Sequence, residues 1–356
     1  MFNDTHSLAQ LGWRPFYSQQ LTLDDLYESF PARVAAVHRS LLTVLAESGE
    51  HPVTLPQRLR PDGTTPSITV GDWVLVRSET SQVVRMLERQ SVIARLAAGS
   101  EPVLQAIAAN VDTLFVVTSC NADFNASRLE RYLAVAYEAR VTPVIILSKV
   151  DTCADPQPYF TQAQGTSQNV AVIAVNGTDS DGSLASLGPW LGEGQTVAFV
   201  GSSGVGKSTL INSLSGVNTQ ATHEIRQADG KGRHTTTARY LLRAPRGAWL
   251  IDTPGMRELK IGAAQGGLCR TFVDIESLAT QCRFRDCSHR HETGCAVRGA
   301  VADGRLDARR LDSYFKLARE ADRAASLPWK RRQESRQFGR MARAAQKRRR
   351  KDTGRE

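Results

Sequence analysis

Apolar residues in the first third of the chain fall in short runs that are typical of β-strands. Runs at 32–37, 41–45 and 83–87, together with a turn and alternating strand at 71–77, lie within about 65 residues. Several short strands so close together predict a small barrel, and the oligonucleotide-binding (OB) type is the natural candidate. A barrel that only packs on its neighbour is the alternative. Residues 1–30 are polar and weakly periodic, which predicts a poorly ordered extension with one short helix near 21–27.

Beyond Ala98, apolar strands alternate with helical patterns. A capping box formed by Ser127 and Glu130 predicts a helix that runs to Ala139. The alternation predicts a parallel α/β sheet that is covered by helices and carries loops at its strand ends. Its strands are predicted at 111–118, 143–147, 170–175, 196–200, 239–243 and 248–251.

Length and composition favour a globular protein of several domains. The chain has 356 residues, of which 41% are apolar, enough for two or three domains with real cores. Its apolar runs are far shorter than the ~18 to 20 residues that cross a bilayer, and the N-terminus has no secretory signal pattern. We therefore expect a cytoplasmic protein without a membrane partner. Six cysteines in such a long chain are too dilute for a disulfide framework, and they indicate a metal where they cluster.

The net charge of +9 is concentrated at the C-terminus. Residues 330–356 hold twelve basic and three acidic residues, which leaves the rest of the chain balanced. A run such as 347–351 repels itself, is expected to be disordered alone, and gains most by neutralising phosphates. Nucleic acid is the predicted partner, and a tail that only improves solubility is the alternative.

A phosphate-binding loop follows the predicted strand at 196–200. Residues 201–209 fit the pattern G-x-x-x-x-G-K-[ST] between a strand and a helix. The glycines let backbone N–H groups close around phosphates, Lys207 reaches the terminal phosphates, and Ser208 offers its hydroxyl to Mg²⁺. The nucleotide-binding residues predicted here are Gly201, Ser202, Ser203, Gly204, Val205, Gly206, Lys207, Ser208 and Thr209.

Two further loops extend the predicted nucleotide site. The strand at 248–251 is followed by D-x-x-G, in which Asp252 can hold Mg²⁺ through water and the Gly255 amide can sense a γ-phosphate. Upstream, the strand at 143–147 is followed by Ser148, Lys149, Val150 and Asp151. Asp151 can accept hydrogen bonds from N1–H and N2–H of guanine, a pair of donors that adenine lacks. Guanine selectivity is therefore predicted.

The order of these loops is unusual, because the base-reading loop precedes the phosphate loop. The chain thus resembles a circularly permuted GTPase. More narrowly, the barrel, the permuted motifs and a downstream Cys/His cluster resemble the ribosome small subunit-dependent GTPase A family over about residues 30–320. The resemblance implies a bacterial GTPase that binds the 30S subunit and its 16S rRNA late in maturation and hydrolyses GTP in response. Ser148 stands where that family usually has Asn or Thr, and Val175-Asn176-Gly177 stands where it usually has Ser-Ala.

The residues that complete hydrolysis are predicted between the phosphate-loop helix and D-x-x-G. Met256 stands where Ras-like proteins have a water-orienting Gln, so slow intrinsic turnover is expected. The glycine-containing segment 230–237 lies where a switch loop belongs, and its ordering by γ-phosphate and ribosome would link nucleotide state to binding. Within it, Thr236 is the candidate Mg²⁺ ligand and His234 the candidate water-orienting residue. A surface histidine or an RNA contact is the alternative for His234.

A cysteine-rich loop near the C-terminus has the spacing of a metal site. Cys282, Cys287, His289 and Cys295 supply three thiolates and one imidazole, the ligand set of a closed tetrahedral zinc site. One structural Zn²⁺ is predicted, with His291 as a less favoured substitute for His289. A helix at 311–325 is predicted to pack on this module. The arginines in and beside the cysteine-rich loop can face RNA or only solvent; they are Arg283, Arg285, Arg290 and Arg298.

Together these features predict a multi-domain protein: an OB-type barrel, a permuted α/β P-loop GTPase domain and an α-rich zinc module. The predicted divisions are an N-terminal extension (1–30), the barrel (31–98), the GTPase domain (99–265), the zinc-binding module (266–328) and a basic tail (329–356). The predicted function is that of a monomeric GTP hydrolase that uses Mg²⁺ and is stimulated by the 30S subunit. One alternative is an RNA-binding assembly module that uses GTP only as a conformational ligand. The other is a P-loop ATPase or metabolite kinase.

Overall fold

The computed structural model describes residues 5–38, 41–56, 68–96, 104–216, 240–252 and 264–325. The predicted basic tail, 329–356, lies outside the described residues.

The N-terminal segment is packed against the rest of the molecule. Leu11 and Tyr17 are only 0% and 1% exposed. The prediction of a poorly ordered extension is therefore wrong for residues 5–28. Its apolar side chains pack on two different parts of the molecule, so they are irregularly spaced along the chain. Hydrophobic periodicity detects only regular helices and strands, so it did not reveal this packing. The segment contains α1 (Pro15–Ser18) and α2 (Leu23–Glu28), of which α2 confirms the predicted short helix.

Residues 5–21, which we call the strap, touch both halves of the molecule. The Trp13 ring meets the Trp73 ring edge-on, with 4.8 Å between their centroids. The Trp249 indole N–H donates to the Gln10 carbonyl at 2.7 Å. Since Trp73 belongs to the barrel and Trp249 to the second sheet, the strap spans the junction between them.

Five strands close into a barrel: β1 (Ser29–Val37), β2 (Leu41–Ala46), β3 (Gly49–Thr54), β4 (Trp73–Arg77) and β5 (Gln82–Met86). They neighbour one another in the order β1-β2-β3-β5-β4, and β4 pairs again with β1. Alternate side chains point inward, so that Val34, Val44, Val53, Val74 and Val76 form an apolar core. The predicted barrel is confirmed, and it includes β3, which the sequence pattern did not reveal.

A two-stranded hairpin follows the barrel. It consists of β6 (Val92–Leu96) and β7 (Leu104–Ala109), which are antiparallel. The Ala109 amide donates to the Val70 carbonyl at 2.9 Å. A Cβ at Gly71 would lie 2.1 Å from the Ala109 carbonyl oxygen, and the φ of Gly71 is +89°, so this close approach requires glycine. The predicted division between residues 98 and 99 falls between the two strands.

The second sheet contains β8 (Thr113–Ser119), β9 (Thr142–Ser148), β10 (Ala171–Ala174), β11 (Thr196–Val200), β12 (Tyr240–Arg243) and β13 (Trp249–Asp252). Strands β10, β9, β8, β11 and β13 are parallel neighbours, as predicted. Strand β12 is antiparallel to β13, which corrects the prediction of a wholly parallel sheet. The connection 244–248 is so short that it can join only antiparallel strands.

The barrel and the second sheet are continuous. Ala36 of β1 pairs with Tyr240 of β12, which completes an 11-stranded sheet. Beside this junction the Arg33 guanidinium donates to the Leu11 carbonyl and to Thr196 Oγ1, each at 2.6 Å. Burial lowers the pKa of Arg33 to about 10, which still leaves it charged at neutral pH. One buried cation therefore ties together the strap, the barrel and the second sheet.

Helices cover both faces of the second sheet: α3 (Ala126–Glu138), α4 (Gln157–Gln164), α5 (Ser180–Leu187) and α6 (Lys207–Ser215). Side chains alternate along each strand, so Val116 packs on the α3 face and Val117 on the α6 face. The predicted capping box is wrong, because α3 is capped by Asn125, whose side chain accepts the Arg128 amide at 2.9 Å. Glu130 is instead fully buried.

The C-terminal helices pack on α3: α7 (Gln265–Thr271), α8 (Val273–Ala279), α9 (Ala296–Ala302) and α10 (Ala308–Ala325). A Cβ at Gly267 of α7 would lie 2.0 Å from the Ala134 carbonyl oxygen, so only glycine allows this approach. Helix α10 confirms the predicted final helix and contacts both α3 and α7. It reaches the cysteine loop through Phe315, whose ring lies 5.2 Å from the Arg290 guanidinium. Within the ranges described, the helices are too short or too polar to span a membrane.

Candidate nucleotide site and metal centre

The phosphate loop lies between the end of β11 and the start of α6. Gly201, Gly204 and Gly206 have φ values of +154°, +79° and +89°, which L side chains rarely adopt. Gly201 has the least room, because a Cβ there would lie 2.2 Å from the Val117 carbonyl oxygen in β8. The tight turn brings backbone N–H groups to the N-terminus of α6, where the helix dipole favours anions.

Lys207 reaches across this loop. Its ammonium donates to the carbonyls of Gly201 at 2.8 Å and Ser202 at 2.5 Å. The charge is therefore held where the loop would receive phosphates. Ser208 and Thr209 follow on the exposed first turn of α6. The predicted cation and hydroxyls thus lie together where the phosphate loop meets the N-terminus of α6.

Asp252 lies at the same edge of the sheet. It is the last residue of β13, the parallel neighbour of β11, and Ala198 pairs with Ile251. Asp252 therefore stands beside the final residues of β11, next to the start of the phosphate loop. The predicted Mg²⁺ residues Ser208 and Asp252 are thus brought to one edge. Three other predicted residues, His234, Thr236 and Gly255, lie outside the described residues.

The base-reading loop leaves the sheet at the end of β9. Ser148 is the last residue of β9, Lys149 has a φ of +58°, and a 3-10 turn covers Val150–Thr152. Asp151 is exposed on that turn. Because β9, β8 and β11 are parallel neighbours, this loop and the phosphate loop emerge at the same edge.

Ser148 joins the two loops directly. Its hydroxyl oxygen lies 2.6 Å from the Val205 carbonyl oxygen and 3.1 Å from the Thr118 carbonyl oxygen. The side chain is only 3% exposed, so the hydrogen bond is shielded from water. The third loop, Val175-Asn176-Gly177, is also fixed against α6, because the Ser213 hydroxyl donates to the Gly177 carbonyl at 2.5 Å.

Asp123 is a residue of this site that the sequence analysis missed. It lies in the loop after β8, and its carboxylate accepts a hydrogen bond from the Ser202 hydroxyl of the phosphate loop. Arg128 forms an ion pair with the same carboxylate at 3.1 Å. A single Asp in a loop carries no motif, and only the adjacency of β8 and β11 gives it a role in holding the phosphate loop.

The predicted metal ligands form a compact cluster. The ligand atoms of Cys282, Cys287, His289 and Cys295 all lie within 4.8 Å of one another. The Sγ atoms of Cys282 and Cys295 are 3.9 Å apart, and His289 Nδ1 is 3.5 Å from each of them. A tetrahedron with bonds of about 2.3 Å to sulfur and 2.0 Å to nitrogen has edges of about 3.8 and 3.5 Å. The cluster therefore fits a tetrahedral metal ion, and His289 is its imidazole.

Glu292 shapes the loop around this cluster. Its carboxylate accepts hydrogen bonds from the amides of Ser288, Arg290 and His291 and from the Ser288 hydroxyl. These bonds, that of the hydroxyl above all, hold the pKa of Glu292 well below its usual range. The ligand loop is thus pre-shaped by a side chain that is not itself a ligand.

A basic groove adjoins the metal cluster. It has a volume of about 810 Å³ and runs between the cysteine loop, α9 and α10. Four basic side chains line the groove, and two of them are predicted arginines. Asp312 also lines it and is acidic. The basic side chains are Arg290, Arg298, Lys316 and Arg319.

Comparisons with known proteins agree with this geometry. The chain is 49% identical to the small ribosomal subunit biogenesis GTPase RsgA 2 of Vibrio vulnificus, over 96% of this chain and 95% of the relative. It is 48% identical to RsgA of Mesorhizobium japonicum, over 88% and 90% of the two chains. Its fold resembles the crystal structure of YjeQ from Thermotoga maritima, with a TM-score of 0.61 and 23% identity over 82% of this chain and 98% of that one. YloQ, described as a circularly permuted GTPase, gives a TM-score of 0.58 and 24% identity over 83% and 96%.

A phosphate loop on a parallel sheet, preceded in the chain by its base-reading loop and joined to a five-stranded barrel, defines a circularly permuted P-loop GTPase. The family model of the RsgA GTPases matches residues 86–262, which include every nucleotide motif described above. Because this model matches and because the chain is 49% identical to a curated relative over 96% of its length, the chain belongs to the RsgA GTPase family.

Proposed function

We propose that this protein is a Mg²⁺-dependent GTP hydrolase that acts in maturation of the small ribosomal subunit. The observation that carries the proposal is the hydrogen bond between Ser148 and Val205, which unites a base-reading loop with a phosphate loop. Lys207 and the loop amides bind the phosphates, Ser208 and Asp252 hold Mg²⁺, and Asp151 selects guanine. His234 and Thr236 are proposed to complete the hydrolytic site, and Gly255 to sense the γ-phosphate.

The ribosomal partner is supported by the names of the relatives and by the charge of this chain. The Vibrio and Mesorhizobium relatives are named for small ribosomal subunit biogenesis. Here the twelve basic residues after Pro328 and the groove beside the metal cluster offer cations to the phosphates of 16S rRNA. The barrel provides a second surface suited to RNA.

The metal of the cysteine loop is proposed to be one structural Zn²⁺. Three thiolates and an imidazole are a soft, closed donor set that suits zinc. The ion would be held by Cys282, Cys287, His289 and Cys295, and it would order the loop that carries the basic groove. We also propose that the protein is a cytoplasmic monomer. Its proposed domain boundaries fall after residues 30, 98, 265 and 328.

The proposal is tested by GTP and ATP turnover with and without 30S subunits at one stated salt concentration. GTP turnover is expected to be slow alone and strongly stimulated by 30S, and ATP turnover is expected to stay at background. Lys207→Ala should abolish the stimulated rate. Comparable ATP turnover would instead favour the ATPase or kinase alternative.

The RNA surface is tested separately with the double variant Arg290→Ala/Lys316→Ala. It should weaken 30S binding and flatten its salt dependence, because two phosphate contacts are lost. Arg305→Ala is the matched control, since Arg305 is exposed and, in the part of the chain that the structure describes, its ion pair is a local one with Asp303 at 3.1 Å. Nucleotide-dependent 30S binding without stimulated turnover would favour the alternative in which GTP is only a conformational ligand.

A further inference from the structure

The Ser148 hydroxyl is fully engaged by the protein itself. It has a single proton to donate, and its oxygen lies within hydrogen-bond distance of two carbonyl oxygens, those of Val205 at 2.6 Å and Thr118 at 3.1 Å. Both partners are acceptors, so both compete for that one proton. The side chain is 3% exposed, which leaves it little freedom to turn elsewhere.

Among the described residues, the donor to the Val205 carbonyl is the Ser148 hydroxyl. Helix α6 begins its backbone hydrogen bonds one residue later, where the Leu210 amide donates to the Gly206 carbonyl at 2.9 Å. A carbonyl in the phosphate loop that lost its donor would be costly, because a buried acceptor without a partner carries a desolvation penalty. The shorter of the two distances also favours Val205 as the partner that holds the proton.

An asparagine, one of the two residues that the family usually has at this position, differs from serine in the number of protons that its side chain can donate. Its amide has two N–H donors, so it can hold a loop carbonyl with one and serve a ligand with the other. A serine hydroxyl has one proton and can donate it to the loop carbonyl or to a ligand, but not to both. Guanine N7 is a pure acceptor and can be read only by a donor.

We infer that this protein recognises guanine through the N1–N2 edge alone and leaves N7 unread. The inference rests on the proposed function, in which the phosphates lie on the phosphate loop and Asp151 takes the N1–N2 edge. In this inference the N7 edge of the ring is placed at the end of β9, where the one proton of Ser148 is committed to Val205. Ser148 is thus a specificity-determining residue that holds the phosphate loop at the expense of a contact to the base.

Competition binding against a fluorescent guanine nucleotide tests this directly, with GTP, 7-deaza-GTP, ITP and ATP as competitors. In 7-deaza-GTP a C–H replaces N7, and ITP lacks the N2 amine. The unmodified protein should bind GTP and 7-deaza-GTP with dissociation constants equal within about twofold, while ITP and ATP bind more weakly. Ser148→Asn should create a preference for GTP over 7-deaza-GTP of about 3- to 10-fold, the value of one neutral hydrogen bond.

The controls separate the possible failures. Ser148→Asn should leave the GTP-to-ITP ratio unchanged, because Asp151 reads that edge, and Ser148→Ala should weaken GTP and 7-deaza-GTP equally. If the unmodified protein binds 7-deaza-GTP more than threefold weaker than GTP, another donor such as the Asn121 amide reads N7 and the inference is overturned. If Ser148→Asn folds and binds GTP without discriminating, N7 does not face this position and the inference again fails. If GTP is not preferred over ATP, the proposed function fails first.

Discussion

Replacing Arg310 with leucine is expected to release helix α10 from the GTPase domain. All five N–H donors of its guanidinium are used, which makes this side chain the centre of the contact between α10, α3 and α8. It binds Asp274 through both carboxylate oxygens at 2.7 and 2.8 Å and Glu130 at 3.0 Å. The two remaining bonds go to the carbonyls of Thr166 at 2.9 Å and Thr271 at 3.0 Å.

The expected cost follows from what these partners can do without Arg310. Removing one member of a buried ion pair costs about 3 to 5 kcal/mol, because the other charge stays buried. Glu130 is 0% exposed but keeps Arg309, whose nitrogens lie 3.1 Å from each of its oxygens. Asp274 is 29% exposed and can gain water. The lower figure, about 3 kcal/mol, is therefore expected, which is roughly a 150-fold change in the opening equilibrium.

Hydrogen exchange of the α10 amides measures that opening without assuming that the whole chain unfolds in one step. Arg310→Leu should accelerate their exchange by about two orders of magnitude. Arg319→Leu is the control on the same helix, because Arg319 is exposed and, within the described residues, donates to the Phe315 carbonyl of its own helix. Its effect should stay within about 0.5 kcal/mol. Arg310→Lys should recover little, since one ammonium cannot replace a planar fork. Exchange rates for Arg310→Leu within threefold of the control would refute this reasoning.

Four further outcomes are expected. Burial raises the pKa of Asp274, but Arg310 lowers it more, so the net pKa lies below its ordinary value of 3.8. Ionised Asp274 therefore stabilises the fold above pH 3.8, and this stabilisation is lost as the pH falls through the pKa of the folded state. In Arg310→Leu, carbon-13 NMR should show this carboxyl titrating at higher pH. Gly201→Ala should abolish nucleotide binding in a folded protein, judged by circular dichroism and fluorescent-nucleotide titration. Leu11→Ala should lower stability by about 2 to 5 kcal/mol in chemical denaturation, because the buried strap loses its anchor. Cys287→Ser should reduce the zinc content measured by mass spectrometry, while Cys269→Ser, an exposed thiol outside the cluster, should not.

The parts of the site that could be predicted are those that local sequence dictates. A phosphate loop is defined by glycines and a lysine at fixed spacing, because one turn of backbone makes the whole cradle. A tetrahedral metal site in a short loop is likewise defined by the spacing of its thiolates and imidazole. Both were therefore visible as patterns, and the structure brings Cys282, Cys287, His289 and Cys295 together as expected.

The parts that could not be predicted depend on residues far apart in the chain. Glu130 reads as a helix-capping residue, but Asn125 caps the helix and Glu130 meets Arg310, 180 positions away. In the sequence, Arg33 is indistinguishable from an ordinary strand residue. Only the folded chain brings Thr196 and Leu11 within hydrogen-bond distance of it. Asp123 gains a role only because β8 and β11 are neighbours. Such contacts have no local signature, so only the assembled fold reveals them.

The β12–β13 hairpin shows how the barrel is connected to the nucleotide edge. Ala36 of the barrel pairs with Tyr240, and Tyr240 pairs with Asp252, so two backbone pairings lead from β1 to the proposed Mg²⁺ residue. At the turn end of the same hairpin, the strap holds Trp249 through the Gln10 carbonyl. The position of Asp252 is therefore fixed by the barrel and the strap as well as by its own sheet. The barrel and the proposed Mg²⁺ residue therefore belong to one continuous sheet, so the barrel is joined to the nucleotide edge by backbone pairing and not only by side-chain packing.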